Sequence, residues 1–205
     1  MREGLKPAAE ANLSDRGGIG TGAIIGYYEG KALIQWRFKM GTTEQNLNTA
    51  FAGESQANRK YLFFAEKADA EGQPQIAKLF RAAADAETVH ARNHLRVLKG
   101  VEDTASNLKS AISGEHHEFN TMYPDFIDQA RKEEHPQAVS SFEKANAVEK
   151  IHHSLFQRAL NDAGLGLKTE ERPYFVCQVC GNTVLETPDT CPICNAPRES
   201  FRQID

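Results

Sequence analysis

Glutamate and histidine stand three residues apart twice, as Glu87-Thr-Val-His90 and Glu149-Lys-Ile-His152. On a helix that spacing puts a carboxylate and an imidazole on one face, one turn apart, where both can grip one cation. Each pair follows a lone glutamate at nearly the same interval: Glu54 lies 33 residues before Glu87, and Glu115 lies 34 before Glu149. Most helical glutamates are solvated surface charges, and a single Glu-x-x-His carries little weight. Two of them at matched intervals describe a repeated two-helix unit written in metal-ligand residues.

The apolar residues around these glutamates say which way they face. Glu54 shares a helical face with Leu47, Ala50, Phe51, Ala57, Tyr61, Ala65 and Ala68, and Glu87 shares one with Ile76, Phe80, Ala83 and His90. Glu115 falls with Leu108, Ile112, Glu118, Met122 and Phe126, and Glu149 with Val139, Phe142, His152, Phe156 and Leu160. Glu54, Glu87, Glu115, Glu118 and Glu149 therefore point toward an apolar interior. An unpaired buried carboxylate is costly or titrates to neutral, so such a cluster calls for cations. Two divalent ions nearly balance five carboxylates, with His90 and His152 as neutral ligands; one ion leaves the cluster undercompensated. A lone glutamate plus Glu-x-x-His from each half is the ligand set of di-iron carboxylate bundles. His116, His117 and His153 are turned off the ligand face by the 100° step per residue. His94 reads as a core or supporting residue, and His135 as a loop residue beside Pro136.

A second site lies at the other end of the chain. Cys177-Gln-Val-Cys180 and Cys191-Pro-Ile-Cys194 are two knuckles whose four thiolates can close a tetrahedron. Sulfur ligation of this kind suits zinc and iron alike, so spacing leaves a structural zinc ribbon and a redox iron both open. All four cysteines lie in the last 29 residues, none is left for a disulfide elsewhere, and the usage suits a reducing compartment.

The elements that must position these residues follow from caps and breakers. One helix is predicted from Thr43 to Ala70, opened by a Thr42/Gln45 capping box and stopped at Gly72, and a second from Pro74 to about Lys99. A third, capped by Thr104, continues toward Glu134 with a kink at Pro124, and a fourth runs from Pro136 to near Gly164. This is an all-α four-helix bundle over residues 40–165, then a linker at 166–173 and a small metal-stapled β/loop domain at 174–205. The link between the second and third helices is so short that the bundle is expected to need a partner chain. Residues 1–39 differ from the rest: Arg16-Gly-Gly-Ile-Gly-Thr-Gly-Ala-Ile-Ile-Gly misses the dinucleotide spacing, shows no clear strand-turn-helix context, and reads as an extension outside the fold, ahead of a natural beginning at Met40. With 205 residues, 40% hydrophobic, the chain can bury a core. A net charge of −4 with mixed signs argues against nucleic acid or an anionic membrane as partner, and no apolar run approaches a membrane span.

At Phe51-Ala-Gly-Glu54-Ser-Gln-Ala-Asn, at Gly114-Glu115-His-His-Glu118-Phe-Asn-Thr-Met-Tyr123-Pro, and at the two cysteine knuckles, residues 40–205 resemble rubrerythrin. The resemblance implies a ferritin-like di-iron bundle with a rubredoxin-like iron domain, acting as a cytoplasmic peroxidase against oxidative stress. It implies that Glu87 and Glu149 bridge two irons, that Glu54 binds one of them, and that Glu115 and His152 bind the other. On reduction Glu118 would leave the first iron and His90 arrive. Tyr61 and Tyr123 match family tyrosines near the pocket, the alternative being two buried tyrosines satisfied by backbone. Iron in the four-cysteine site, for which zinc can substitute in a recombinant or crystallised sample, would relay electrons from an external donor, a rubredoxin or an NAD(P)H-dependent reductase. A homodimer or larger homo-oligomer is implied, each rubredoxin-like domain serving the other chain. The rival reading is a ferritin-like iron store or ferroxidase with a structural zinc-ribbon tail.

Overall fold

The computed structural model describes residues 22–28, 31–37, 41–166 and 171–204. The chain is mostly helical, with four long helical rods and a small C-terminal strand region bearing the four cysteines. It divides into two compact units, Met1–Gly100 and Val101–Asp205.

In the first unit, β1 (Gly22–Tyr28) pairs antiparallel with β2 (Lys31–Arg37), in register from Gly22↔Arg37 to Tyr28↔Lys31. This strand-to-strand pairing does not supply the strand-turn-helix context found wanting in residues 1–39, but the ribbon itself was not anticipated. Isoleucine, tyrosine and tryptophan suit a pleated ribbon, and two residues separate the strands. The glycines before Gly22 lie outside the described residues, as do positions 167–170 of the expected linker.

Helices α1 (Thr43–Ala70) and α2 (Pro74–Val97) form an antiparallel hairpin. The Thr42/Gln45 capping box starts α1 as expected, and Gly72, at φ 71°, turns the chain into Pro74. Alanines set the approach of the two rods: Ala65, Ala68 and Ala77 are buried together with Phe80 packed against them. Asn58 ties the rods by donating to the Ala84 carbonyl at 2.7 Å and to the Thr88 hydroxyl at 2.9 Å.

The second unit repeats this hairpin. Its first rod is α3 (Thr104–His117), a π turn (Glu118–Met122) and α4 (Tyr123–Lys132); its second is α5 (Pro136–Gly164). Asp103, not Thr104, caps α3, accepting the Ser106 N–H at 3.0 Å. The break expected at Pro124 is a π turn placed just before it. Proline offers no N–H and crowds the carbonyl four residues back, and a wider turn relieves both.

The repeat extends to ring packing and ion pairs. Tyr61, Phe64 and Phe80 cluster with centroids 5.5 to 6.3 Å apart, and Tyr123, Phe126 and Phe142 do so at 5.6 to 6.4 Å. Asp69 meets Arg81 at 2.7 Å, and the equivalent pair, Arg131 and Glu143 at 2.6 Å, has the charges exchanged. In both halves the tyrosine, the second-rod phenylalanine and the paired glutamate keep the same spacing in sequence. The one surplus residue of the second half therefore falls between Glu115 and Tyr123, where the π turn absorbs it.

Ile76 and Phe126, assigned to the buried stripe, are 44% and 45% exposed. A two-rod hairpin covers only the seam between its helices, so large side chains on the flanks of the stripe remain open.

The cysteine domain is a three-stranded antiparallel sheet, β3 (Tyr174–Cys177) between β4 (Thr183–Val184) and β5 (Phe201–Ile204).

The repeat supplies its own comparison of turn chemistry. Glu134, at φ 54°, occupies the left-handed position that Gly72 occupies in the first hairpin. Gly72→Ala is expected to lower stability by about 1 kcal/mol and Glu134→Gly to raise it by a similar amount, read as opposite shifts in the urea unfolding midpoint.

Candidate functional site

Each hairpin converges three donors. In the first unit Glu54 of α1 meets Glu87 and His90 of α2, with one ligand atom from each mutually within 4.8 Å. In the second, Glu115 of α3 meets Glu149 and His152 of α5 within the same limit. In both the imidazole Nδ1 faces the carboxylate one turn earlier, at 2.9 Å for His90–Glu87 and 2.8 Å for His152–Glu149. The Glu-x-x-His spacing thus delivers a preset pair, and the lone glutamate of the neighbouring rod completes it.

The second triad is short of positive charge. Burial pushes the Glu115 carboxyl up to about 7, reinforced by the charge of Glu149 and a hydrogen bond shared with it. Glu118 is raised by burial and then by Glu149. Tyr123 is raised by burial and by the charges of Glu149, Glu118 and Glu115. His152 is raised by its bond to Glu149 against the opposing effect of burial. Protons crowd the site because carboxylates are crowded there, and a divalent cation is the natural replacement for them. This donor set of carboxylate oxygen and imidazole nitrogen fits iron.

Glu118 stands outside both triads. It opens the π turn, within electrostatic reach of Glu149 but not among the converging donors. Tyr61 packs on Phe64 and Phe80, and Tyr123 on Phe126 and Phe142. None of the five histidines set aside in the sequence joins a triad among the described residues. His135 caps α5 by accepting the Ala138 N–H, and His116 and His153 pack on Phe119.

The four cysteines form the second cage. All are free thiols, all within 4.8 Å of one another, with Sγ···Sγ of 3.7 Å for Cys177–Cys194 and 3.6 Å for Cys180–Cys191. A tetrahedron with metal–sulfur bonds of about 2.3 Å has edges of roughly 3.8 Å, so the cage fits such an ion closely. The knuckles match in backbone detail. Gly181 and Asn195 donate back to the carbonyls of Cys177 and Cys191 at 2.8 and 2.9 Å, both at positive φ. Burial raises the Cys180 and Cys194 thiols. Cys191 is also opposed by burial, yet the backbone N–H groups of Cys194 and Ile193 bring it down to about 6.

A contact that sequence reasoning missed joins the two cages of the second unit. His152 Nε2 lies 3.0 Å from the hydroxyl of Thr183, and that hydroxyl donates to the Gly181 carbonyl at 3.0 Å. Gly181 follows Cys180 directly. Because the Thr183 hydroxyl gives its own proton to Gly181, it accepts from Nε2, and with a cation at Nδ1 that bond would fix tautomer and ring orientation together. Coverage by Thr183 accompanies a side-chain exposure of 28% for His152 against 55% for His90. This contact lies within one chain, the cysteine domain reaching that chain's own histidine.

Comparison with known proteins agrees with this pair of centres. The rubrerythrin family model matches residues 45–160, and that of the rubrerythrin rubredoxin-like domain matches 175–202. Rubrerythrin-2 of Clostridium acetobutylicum is 36% identical, the match covering 80% of this chain and 97% of that protein. Rubrerythrin of Nitratidesulfovibrio vulgaris is 33% identical over 80% of this chain and 94% of its own. Among solved structures, nigerythrin in its mixed-valence state is 33% identical, covering 81% of this chain and 88% of its own, with a TM-score of 0.47.

Replacing Glu149 with Ala removes the carboxylate that His152 and Glu115 both approach. Elemental analysis is expected to show the carboxylate-bound iron lost while the visible absorption of the thiolate-bound iron persists; full retention of iron would contradict the assignment.

Proposed function

The chain belongs to the rubrerythrin family, carrying a di-iron site and a rubredoxin-like domain, and on that premise we propose that it is a peroxidase. Its substrate is hydrogen peroxide, reduced to water, and its electrons come from an external donor, a rubredoxin or an NAD(P)H-dependent reductase, by way of the thiolate-bound iron. When bound, the iron pair supplies Lewis acidity and the two electrons that O–O cleavage consumes.

The observation that carries this reading is the bonded path from cage to triad. The Cys180–Gly181 peptide, the Thr183 hydroxyl and the His152 ring form a continuous chain of covalent and hydrogen bonds. Iron storage has no use for such a path, and zinc in the cage has no second oxidation state to feed it. The residues of the chain supply position and protons. Glu54, Glu87, Glu115, Glu149, His90 and His152 would hold the metals, and Glu118 would be the carboxylate that gives way to His90 on reduction. Tyr61 and Tyr123 offer phenolic O–H groups, burial and then its acidic neighbours favouring the proton on Tyr123 Oη.

No helix among the described residues is long and apolar enough to cross a membrane. We place the protein in the cytoplasm, as a homodimer or larger homo-oligomer in which exposed side chains such as Phe64, Ile76 and Phe126 find cover.

Two substitutions test the relay. Cys177→Ser is expected to abolish peroxide turnover driven by an external reductant while leaving single-turnover peroxide reduction by a chemically reduced bundle; loss of both contradicts separate roles. Thr183→Val keeps the shape and removes the hydroxyl, and is expected to slow re-reduction of the bundle irons about 10–100-fold in stopped flow. An unchanged rate would refute the path.

A further inference from the structure

Asn182 is a polar side chain in a place suited to an apolar one. It is 1% exposed and the only buried polar or charged residue among those described. Its carboxamide oxygen has no hydrogen-bond partner, which is costly for a buried polar atom. The one side-chain bond it makes runs from Nδ2 to Cys191 Sγ at 3.6 Å.

The near-symmetry of the knuckles shows what is special about it. Asn182 accepts the Cys177 N–H with its backbone carbonyl at 2.9 Å, and Ala196 accepts the Cys191 N–H in the same way at 2.8 Å. The backbone task is therefore done equally well by alanine. What Asn182 adds is its carboxamide, and that reaches across to the opposite knuckle. That carboxamide is held where it is by burial, so its N–H is aimed at a sulfur of the cage itself.

We propose that Asn182 is a positioning residue that sets the reduction potential of the iron in the four-cysteine cage through its N–H···S bond to Cys191. The inference rests on iron occupying the cage and not on peroxide being the substrate. Four thiolates around iron carry one more negative charge in the ferrous than in the ferric state, and an N–H dipole aimed at sulfur stabilises the more negative state more strongly. The bond thus holds the cage more reducible than it would be without that donor, and the stranded oxygen is the cost of that bias.

The test is a spectroelectrochemical titration of the full iron-loaded chain, following the visible thiolate-to-iron band without peroxide. Asn182→Leu keeps the bulk and removes the donor. It is expected to shift the ferrous–ferric equilibrium about tenfold toward ferric, a fall of about 59 mV for a one-electron couple. Asn182→Asp, which replaces the donor by a carboxylate oxygen, is expected to fall at least as far. The zinc-loaded Leu variant should melt no lower than the zinc-loaded parent, since its oxygen is no longer stranded. A potential unchanged in both variants, or raised, overturns the proposal. So does failure of both to hold iron or zinc, because Asn182 would then be building the cage and not tuning it. A fall in potential with no peroxidase activity in the parent leaves the proposal standing and removes the peroxidase reading alone.

Discussion

Like charges held together on an apolar face govern this structure. Within 4.8 Å, two carboxylates and an imidazole converge on each helical hairpin, an arrangement that repels itself until a cation or a proton intervenes. In the second hairpin burial first, and the charge of Glu149 after it, raise the affinity of Glu115 and Glu118 for protons. The repeated hairpin follows from it: an i, i+3 pair needs an unbroken helix, and the third donor needs a second helix pressed close. The buried alanines permit that approach, and Asn58 fixes the first hairpin at that spacing.

Duplication of one hairpin explains much of the rest, including where the halves differ. Ring clusters and inter-rod ion pairs recur, the latter with charges exchanged, so geometry has been kept while sequence drifted. The π turn is the principal departure. It inserts one residue between Glu115 and Tyr123 and places Glu118 at its opening, giving the second half a third carboxylate near Glu149 that the first half lacks. π turns recur at functional sites because they re-aim side chains without ending a helix.

The candidate ligand residues were legible in the sequence because their spacing is fixed by covalent chain and helix pitch alone. Glu87 with His90, Glu149 with His152, and the paired cysteine knuckles are local patterns, and the structure assembles each. The surplus residue in the second interval was a readable trace of the π turn, although Pro124 drew attention to a kink instead. Asp103 and Thr104 both have capping side chains, and backbone geometry chose between them. A helical wheel placed Ile76 and Phe126 on the apolar stripe but says nothing of what covers it. The β1–β2 ribbon was hidden by its glycines. Thr183 and Asn182 were beyond reach, since their partners His152 and Cys191 are brought to them only by tertiary packing.

The two centres of the second unit are joined in the structure, a carboxylate cluster whose donors fit iron and a sulfur cage bonded through Thr183 to its histidine. The most direct measurement is a Mössbauer spectrum of the chain purified and loaded with iron. The account predicts two kinds of site, oxygen- and nitrogen-ligated iron to sulfur-ligated iron in a ratio of two to one. A spectrum with sulfur-ligated iron alone, from a chain that takes up no more, would show that the carboxylates hold no metal and would contradict the account.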